Sequence, residues 1–456
     1  DIDFNIRCGN TLVGYATQKE LETGIAYSDF FTAEEFRNKV TEEMEKVSLT
    51  YDVFKTVQLT QAEDMSAFKR AKYDLKVRLA TLNDLLNHQM YGSVSSTVDY
   101  DAWLSSHQPF HWLAEFYEII NDHGGFDVII GNPPYVEYKD IKNVYEIKGY
   151  ESLPCGDLYA FVLERSSKLI KDSMGLLGMI VPISVYGVDG FSTIQSFLDR
   201  HFSQLYISSY SNRPSQLFSG AQKRLSIIIA NNINTNRVHY TTSYYRWKKE
   251  EVSLFTARLK YIENKKAYSV FKSSLGKIGS TIEYTAFEKL ISQKKTIAHL
   301  VEDKTNIPVY YTRKFSYFLS FLDEIPKIIE VRTNKTVLPS ELKQLNFRDK
   351  GCSYGVIAAL TSSTFFWFWN VLSDCRNMNR RDLMAFPIHP LFINESLSLA
   401  EEYLDAVKKT SHYMLKSGLK IETYSYSKQK TIIDEIDKLL ASHYGFTEEE
   451  LDFIIN

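Results

Sequence analysis

Phe126-Asp127-Val128-Ile129-Ile130-Gly131-Asn132-Pro133-Pro134-Tyr135 is the stretch on which the reading of this chain turns. Its first half is a short apolar run rich in β-branched residues, the composition of a buried strand. Its second half cannot continue that strand, because Pro133 and Pro134 have no amide hydrogen to give to a ladder. A strand thus stops at a stiff corner that carries an amide and an aromatic ring. Downstream, residues 157–172 return to helical spacing, with Leu158, Phe161, Val162 and Leu169. Leu176 to Ile183 reads as a second buried strand, broken by Pro182. Residues 192–200 read as a helix, and Leu205 to Ser209 and Leu225 to Ala230 as strands. Strands alternating with helices indicate an α/β fold with a doubly wound, Rossmann-like sheet.

Upstream, residues 1–15 read as one short strand and a turn, with Phe4 and Ile6 ahead of Gly9-Asn10. Residues 32–48 read as a helix: Thr32 and Glu35 form a capping box, and Phe36, Val40, Met44 and Val47 form one stripe. A longer helix is expected at about 61–90, with Met65, Phe68, Leu75, Leu79, Leu82 and Leu86 on one side. This block, about 20–122, reads as a helical insertion in a domain spanning 1–235. The Asn-rich run from Asn231 to Asn236 marks its end. Residues 236–395 mix aromatics, cations and short strands, a mixed α+β domain. Residues 396–456 read as mainly helical. There Ile432, Ile433, Ile436, Leu439 and Leu440 form a stripe that stops near Gly445, and Thr447 and Glu450 cap a last short helix.

The 456 residues exceed one ordinary core and suggest two or three domains. A net charge of −3 excludes a uniformly basic nucleic-acid binder, so any such affinity must come from local basic surface. The four cysteines, Cys8, Cys155, Cys352 and Cys375, are far apart and form no C-x-x-C pair. That argues against a disulfide framework and a cysteine-rich zinc site, and fits a reducing cytoplasm. No run of some eighteen apolar residues predicts a membrane span.

The corner at Asn132 points to chemistry on an exocyclic amine. The lone pair of such a nitrogen on adenine is delocalised into the ring, so it is a poor nucleophile. Two acceptors aimed at its hydrogens draw it toward tetrahedral geometry. The Asn132 side-chain oxygen and the Pro133 carbonyl suit that pair, and the double proline fixes their direction. Tyr135 can stack on the base. A base that reacts must leave its duplex, so the site must be a pocket at a strand end. An N-P-P-aromatic tetrapeptide arises by chance on the order of once per 10⁵ positions. The competing reading is a proline-stiffened turn.

On these residues the chain resembles the gamma-class N6-adenine DNA methyltransferases, in particular the type IIG restriction–modification enzymes. The resemblance extends to Gly156-Asp157-Leu158-Tyr159-Ala160-Phe161, Gly178 through Ser184, and Asn5 through Leu12. It also covers Leu360 through Phe366, Ser373 through Asn379, and the ending from Tyr444 to Ile454. It implies adenine-N6 methylation of double-stranded DNA with S-adenosylmethionine, by base flipping, in a restriction–modification or phage-defence system. It implies a catalytic corner of Asn132, Pro133, Pro134 and Tyr135. Asp157 and Phe161 are expected near the donor or the base, and Asn10 near the donor's adenine, a position often acidic in the family. Phe218 is a candidate to hold the flipped base, with a core phenylalanine as the other reading.

The family's glycine-rich donor loop should precede Asn5, and it is not found; Gly175, Gly178, Gly187 and Gly190 are misplaced for it. The opening Asp1 to Arg7 reads like the middle of a domain, so a fragment is expected, with processing or trimming as the other reading. Such a chain alone is expected to bind the donor poorly. The second reading is therefore a DNA-recognition fragment that cannot transfer methyl groups; RNA or protein methylation is a third. DNA contact is expected from Arg246 and Lys248 in the run Tyr244 to Lys249, from Arg313 and Lys314, and from Arg376, Asn377, Asn379, Arg380 and Arg381. Arg pairs with guanine, Asn with adenine, and Lys serves phosphate; a solvated charged face is the alternative. Phe365 to Trp369 reads as core. Glu341-Leu342-Lys343 fits half of a nuclease pattern common by chance, and His107, His111 and His123 read as core or surface histidines rather than a metal site.

Overall fold

The computed structural model describes residues 4–25, 30–60, 64–92, 98–218, 220, 222–233, 236–313, 320–339 and 341–456, with the backbone alone at 30–32 and 252–256. The chain divides into two units. One comprises Asp1–Val181, Gly190–Leu205 and Ile227–Arg237; the other comprises Pro182–Asp189, Tyr206–Ser226 and Val238–Asn456.

The first unit begins with four helices, α1 (Gln18–Ile25), α2 (Phe30–Thr60), α3 (Met65–Gly92) and α4 (Tyr100–His107). The α2 helix outruns the expected 32–48 because its stripe continues through Tyr51, Phe54 and Val57. Val40, Met44, Val47 and Phe54 share one core with Leu75, Leu79, Leu82 and Leu86 of α3. Met65 stands exposed at the start of α3 rather than in that stripe. The side chain of Thr32, expected in a capping box, lies outside the described residues.

No strand forms at residues 4–15, contrary to the sequence reading; turns and a single parallel bridge from Asn10 to Pro109 take its place. Packing explains the difference. A side chain at Gly9 would come within 2.7 Å of the Phe110 ring, and Gly14 adopts φ +120° against the Phe110 backbone. Val13 O accepts from Phe110 N at 2.7 Å, and Tyr15 N donates to His111 Nδ1 at 3.0 Å. The segment is thus held by one neighbour rather than by a ladder.

Next come β1 (Val128–Gly131), α5 (Leu158–Leu169), β2 (Leu176–Pro182), α6 (Ser192–His201), β3 (Gln204–Tyr210) and β4 (Leu225–Asn231). With β5 (Val238–Tyr245) and β6 (Ile262–Glu263) the strands hydrogen-bond in the order β1-β2-β4-β3-β5-β6. The β1–β2 pair is parallel, with Val128 opposite Leu176 and Gly131 opposite Met179, whereas β5 and β6 run antiparallel. The fold is therefore mixed α/β. The buried character expected for β1 is not found. It is the last strand at its edge among the described residues, with Val128 58% and Ile130 84% exposed.

In the second unit, α7 (Thr281–Ile291) precedes five short strands: β7 (Pro308–Thr312), β8 (Phe321–Leu322), β9 (Ile328–Glu330), β10 (Thr336–Val337) and β11 (Leu342–Asn346). Helices α8 (Lys350–Thr361), α9 (Ser363–Leu372), α10 (Arg380–Met384) and α11 (Leu397–Lys409) follow. The chain ends with β12 (His412–Lys416), β13 (Leu419–Thr423), α12 (Lys430–Tyr444) and α13 (Glu448–Ile455). The strands make two small sheets, β11-β7-β8 and β10-β9-β13-β12. The C-terminal region is helical as expected, apart from the β12–β13 hairpin.

The α8 helix is buried almost throughout, and Phe365, Phe368 and Trp369 of α9 join its core. Asp437 of α12, fully buried, accepts from Ser363 N at 3.0 Å, Thr364 N at 2.9 Å and Thr364 Oγ1 at 2.7 Å. It thereby satisfies amides at the start of α9 that no helical carbonyl can reach. Among the described residues no single helix is long and apolar enough to cross a membrane. The pair α8 and α9 passes by length and composition only, but bends by 67° and is mostly buried. Gly445 takes φ +69° to end α12, and Thr447 and Glu450 form the expected capping box on α13.

Candidate active site

The corner after β1 has a defined internal geometry. Pro133 is buried, while Asn132 and Pro134 are exposed. The Tyr135 hydroxyl lies 2.7 Å from Asn132 Oδ1 and 3.1 Å from Ile180 O of β2. With one proton, it donates to one of these oxygens or shares between them. Burial pushes the Tyr135 hydroxyl up to about 12, so it keeps its proton at neutral pH and has it available to donate. Its ring meets Tyr159 edge-on at 6.3 Å, and Tyr159 stacks on Phe191 at 5.4 Å. Asn132 thus presents a carboxamide whose oxygen faces the hydroxyl of its neighbour three residues on.

The next segment is tied to the start of α5. Tyr138 N donates to Gly156 O at 2.8 Å, Leu158 N to Val136 O at 3.0 Å, and Glu137 bridges Asp157. The expected partners of the corner, Asp157 and its helix, are thus brought beside the residues that follow Tyr135. Glu164, buried one turn from the end of α5, holds the preceding loop: its carboxylate accepts from Glu151 N, Ser152 N and Ser152 Oγ at 2.7–3.1 Å and pairs with Lys168 at 2.8 Å. Burial alone would raise its carboxyl, but the bonds from Lys168 and Ser152 bring it below the usual range.

The residues expected at the methyl donor do not make a cradle. Phe161 is fully enclosed, its ring edge-on to Tyr138 at 5.7 Å and tilted against Tyr150 at 6.1 Å, and it offers no free face. Asp157 is half-buried and its side chain does not cap α5. Asn10 is half-buried, with Oδ1 accepting from Leu12 N at 3.1 Å. Phe218 is 37% exposed and so is not a core phenylalanine.

The candidate DNA-contacting residues divide into presented and committed groups. In the stretch after β5 the alternation puts Arg246 and Lys248 outward and Trp247 inward, stacked on Tyr210 at 5.2 Å. Arg313 is exposed, and its carbonyl accepts from Met378 N at 2.9 Å, which joins two clusters far apart in sequence. Arg376 is exposed at the tip of that loop. Lys314 lies outside the described residues. Asn377 spends its amide on Asp374 at 3.1 Å, Asn379 caps α10, and Arg380 pairs with Asp303 at 2.8 Å. Arg381 is structural: it donates to Gly187 O at 2.7 Å and Ser274 Oγ at 3.0 Å, pairs with Asp189, and lies 4.4 Å over the Phe271 ring. Arg224 went unnoticed in the sequence, where it follows Lys223 just before a strand. It acts electrostatically on both Tyr244 and Cys375, as Arg246 does.

His111 is buried, accepting from Tyr15 N and facing Asn87 Oδ1 at 3.0 Å, and burial lowers its pKa to about 3. His107 contacts Trp103 and Ser106, and His123 lies near Glu118. Among the described residues no group of three or more His, Cys, Asp or Glu could hold a metal ion.

Residues 37–218 match the model of the Eco57I restriction-modification methylase family, a range that contains the whole corner. A protein of Methanocaldococcus jannaschii, provisionally named as a type II restriction enzyme and methyltransferase, is 26% identical over 281 residues, covering 50% of this chain and 22% of the relative. The chain thus spans about a fifth of that relative's length. Among solved structures, the chain is similar to the Type IIL restriction-modification enzyme MmeI in complex with DNA (11% identity, TM-score 0.38, 90% of this chain and 75% of that one). It is also similar to a nuclease-deletion mutant of the Type ISP enzyme LlaGI with a DNA substrate mimic (9% identity, TM-score 0.34, 78% and 51%). The likeness to that methylase family thus lies in residues 37–218.

Proposed function

We propose that the chain serves adenine-N6 methylation of double-stranded DNA, as a gamma-class enzyme of the type IIG kind, with a Rossmann-like catalytic domain over 1–235, a target-recognition domain over 236–395 and a helical region over 396–456. The observation that carries this reading is the Asn132-Pro133-Pro134-Tyr135 corner at the end of β1, with the Asn132 oxygen oriented by the Tyr135 hydroxyl. Asn132 Oδ1 and the Pro133 carbonyl accept the two hydrogens of the adenine amine and localise its lone pair. Tyr135 bounds the pocket that receives the flipped base. Arg246, Lys248, Arg313 and Arg376, all exposed, supply the contacts to DNA phosphate or base edges. S-adenosylmethionine is the proposed donor, but Asn10, Asp157 and the enclosed Phe161 do not by themselves fit it.

The enclosed Phe161 favours a second reading, DNA recognition without transfer by this chain alone. Asn132→Ala decides between them. Under the first reading it abolishes methylation of duplex DNA and spares DNA binding measured by mobility shift. Unchanged methylation in that variant refutes the proposed chemistry. A chain that binds duplex DNA yet neither methylates it nor binds the donor by calorimetry supports the second reading.

A further inference from the structure

The second unit contains a cavity of about 640 Å³, within the range of about 300–1,000 Å³ usual for small-molecule sites. Lys277 lines it and is 5% exposed. Its ammonium has three protons, and among the described residues only one finds an acceptor, Ser373 O at 2.7 Å. Burial pushes this ammonium down, against the influence of Cys375, Asp374, Asp382 and Glu283. The neighbouring carboxylate does not take the spare protons by hydrogen bond. Glu283, itself 3% exposed, already accepts from Ser243 Oγ at 2.6 Å, Gly279 N at 2.8 Å and Trp367 Nε1 at 3.2 Å. A buried cation with unfilled donors is costly unless something supplies acceptors.

The walls and mouth narrow the chemistry of that supplier. Phe366 and Trp367 line the cavity and suit a planar ring. Arg246, exposed at the cavity, sits 5.5 Å over the Tyr244 ring and 5.3 Å over the Phe366 ring, and bonds Asn370 Oδ1 at 3.2 Å. Among the described residues it has no carboxylate partner. Lys430 also lines the cavity, but it is paired with Asp434. The arrangement is a deep donor, aromatic walls and an exposed cation free to meet an anion.

We infer that this cavity binds a nucleotide with an oxo-bearing base, guanine in the first place. The base lies along Trp367 and Phe366, its carbonyl and ring-nitrogen acceptors face Lys277, and its phosphate meets Arg246. Guanine offers adjacent O6 and N7 acceptors, whereas adenine sets an amino donor beside N7. The nucleotide is either free or part of a DNA strand. The inference does not rest on the methyltransferase reading, because neither test below requires methyl transfer.

The test is titration of the chain with GMP, AMP and inorganic phosphate, followed by calorimetry and tryptophan fluorescence. The expected result is one-to-one binding of GMP, with AMP weaker by about tenfold or more and phosphate weaker still. Arg246→Ala and Trp367→Ala should each weaken GMP by about tenfold or more, with circular dichroism confirming the fold. A second arm uses a short guanosine-containing single strand. If only the strand binds, and binding falls in both variants, the nucleotide comes from DNA. Equal affinity for AMP and GMP overturns the choice of base. No binding in either arm, or binding indifferent to both substitutions, overturns the site.

Discussion

Replacing Tyr135 separates two jobs assigned to one side chain. Its hydroxyl lies 2.7 Å from Asn132 Oδ1, while its ring is the candidate surface for the base. Tyr135→Phe removes the first and keeps the second. A hydrogen bond of this kind contributes about 1 kcal/mol, and less where a partner is as exposed as Asn132. A bias of about 1 kcal/mol corresponds to about fivefold in population, so its loss lets the carboxamide turn its NH₂ toward the substrate. The Phe variant is expected to lose about two- to fivefold in kcat/KM for duplex methylation, and up to about 1 kcal/mol in urea unfolding. Tyr135→Ala also removes the ring, where stacking is worth about 1–3 kcal/mol, so a further loss of about five- to 150-fold is expected. The assay is single-turnover transfer of labelled methyl groups onto duplex DNA. A Phe variant as slow as the Ala variant would refute the stacking role. A Phe variant with wild-type rate and stability would refute the orienting role.

Two further outcomes follow from buried groups. His111 is held at about 3 in the folded chain against 6.5 for the free side chain, so between those values the unfolded state binds more protons. Its stabilising contribution is therefore complete above about pH 6.5 and falls by roughly 1.4 kcal/mol per pH unit toward pH 3; urea midpoints at pH 5 and pH 7 should differ more in the wild type than in His111→Gln. Asp437→Asn keeps one acceptor oxygen but turns an NH₂ toward an amide donor at the start of α9, and should cost about 1–3 kcal/mol in a denaturant series. An unchanged midpoint would mean those three bonds contribute nothing.

Features written in local chemistry were legible in the sequence. The double proline marks where β1 stops, the core stripes mark α2, α3 and α12, and the pair Thr447 and Glu450 marks the start of α13. Position within a sheet is not local: Val128-Ile129-Ile130 has the composition of a central strand and forms an edge. Nor does sequence separate Arg380 and Arg381 from Arg376. All three are arginines in one short loop and helix, yet Gly187, Asp189 and Ser274 claim Arg381 from more than a hundred residues away. The β12–β13 hairpin did carry a usable signal. Ser417 and Gly418, both at positive φ between two five-residue strands, are a two-residue hairpin turn that the helical reading passed over.

The double proline after β1 has a colloidal consequence as well as a chemical one. Among the described residues β1 is an edge, and an edge bearing Val128 and Ile130 is a template for pairing strand against strand. Asp127 sets a charge at one end of it, and Pro133 and Pro134 withhold the amides that a longer pairing would need. The template is thereby cut to four residues. Among the described residues, the prolines proposed to set the site's carbonyls thus also limit strand addition at this edge to the length of β1.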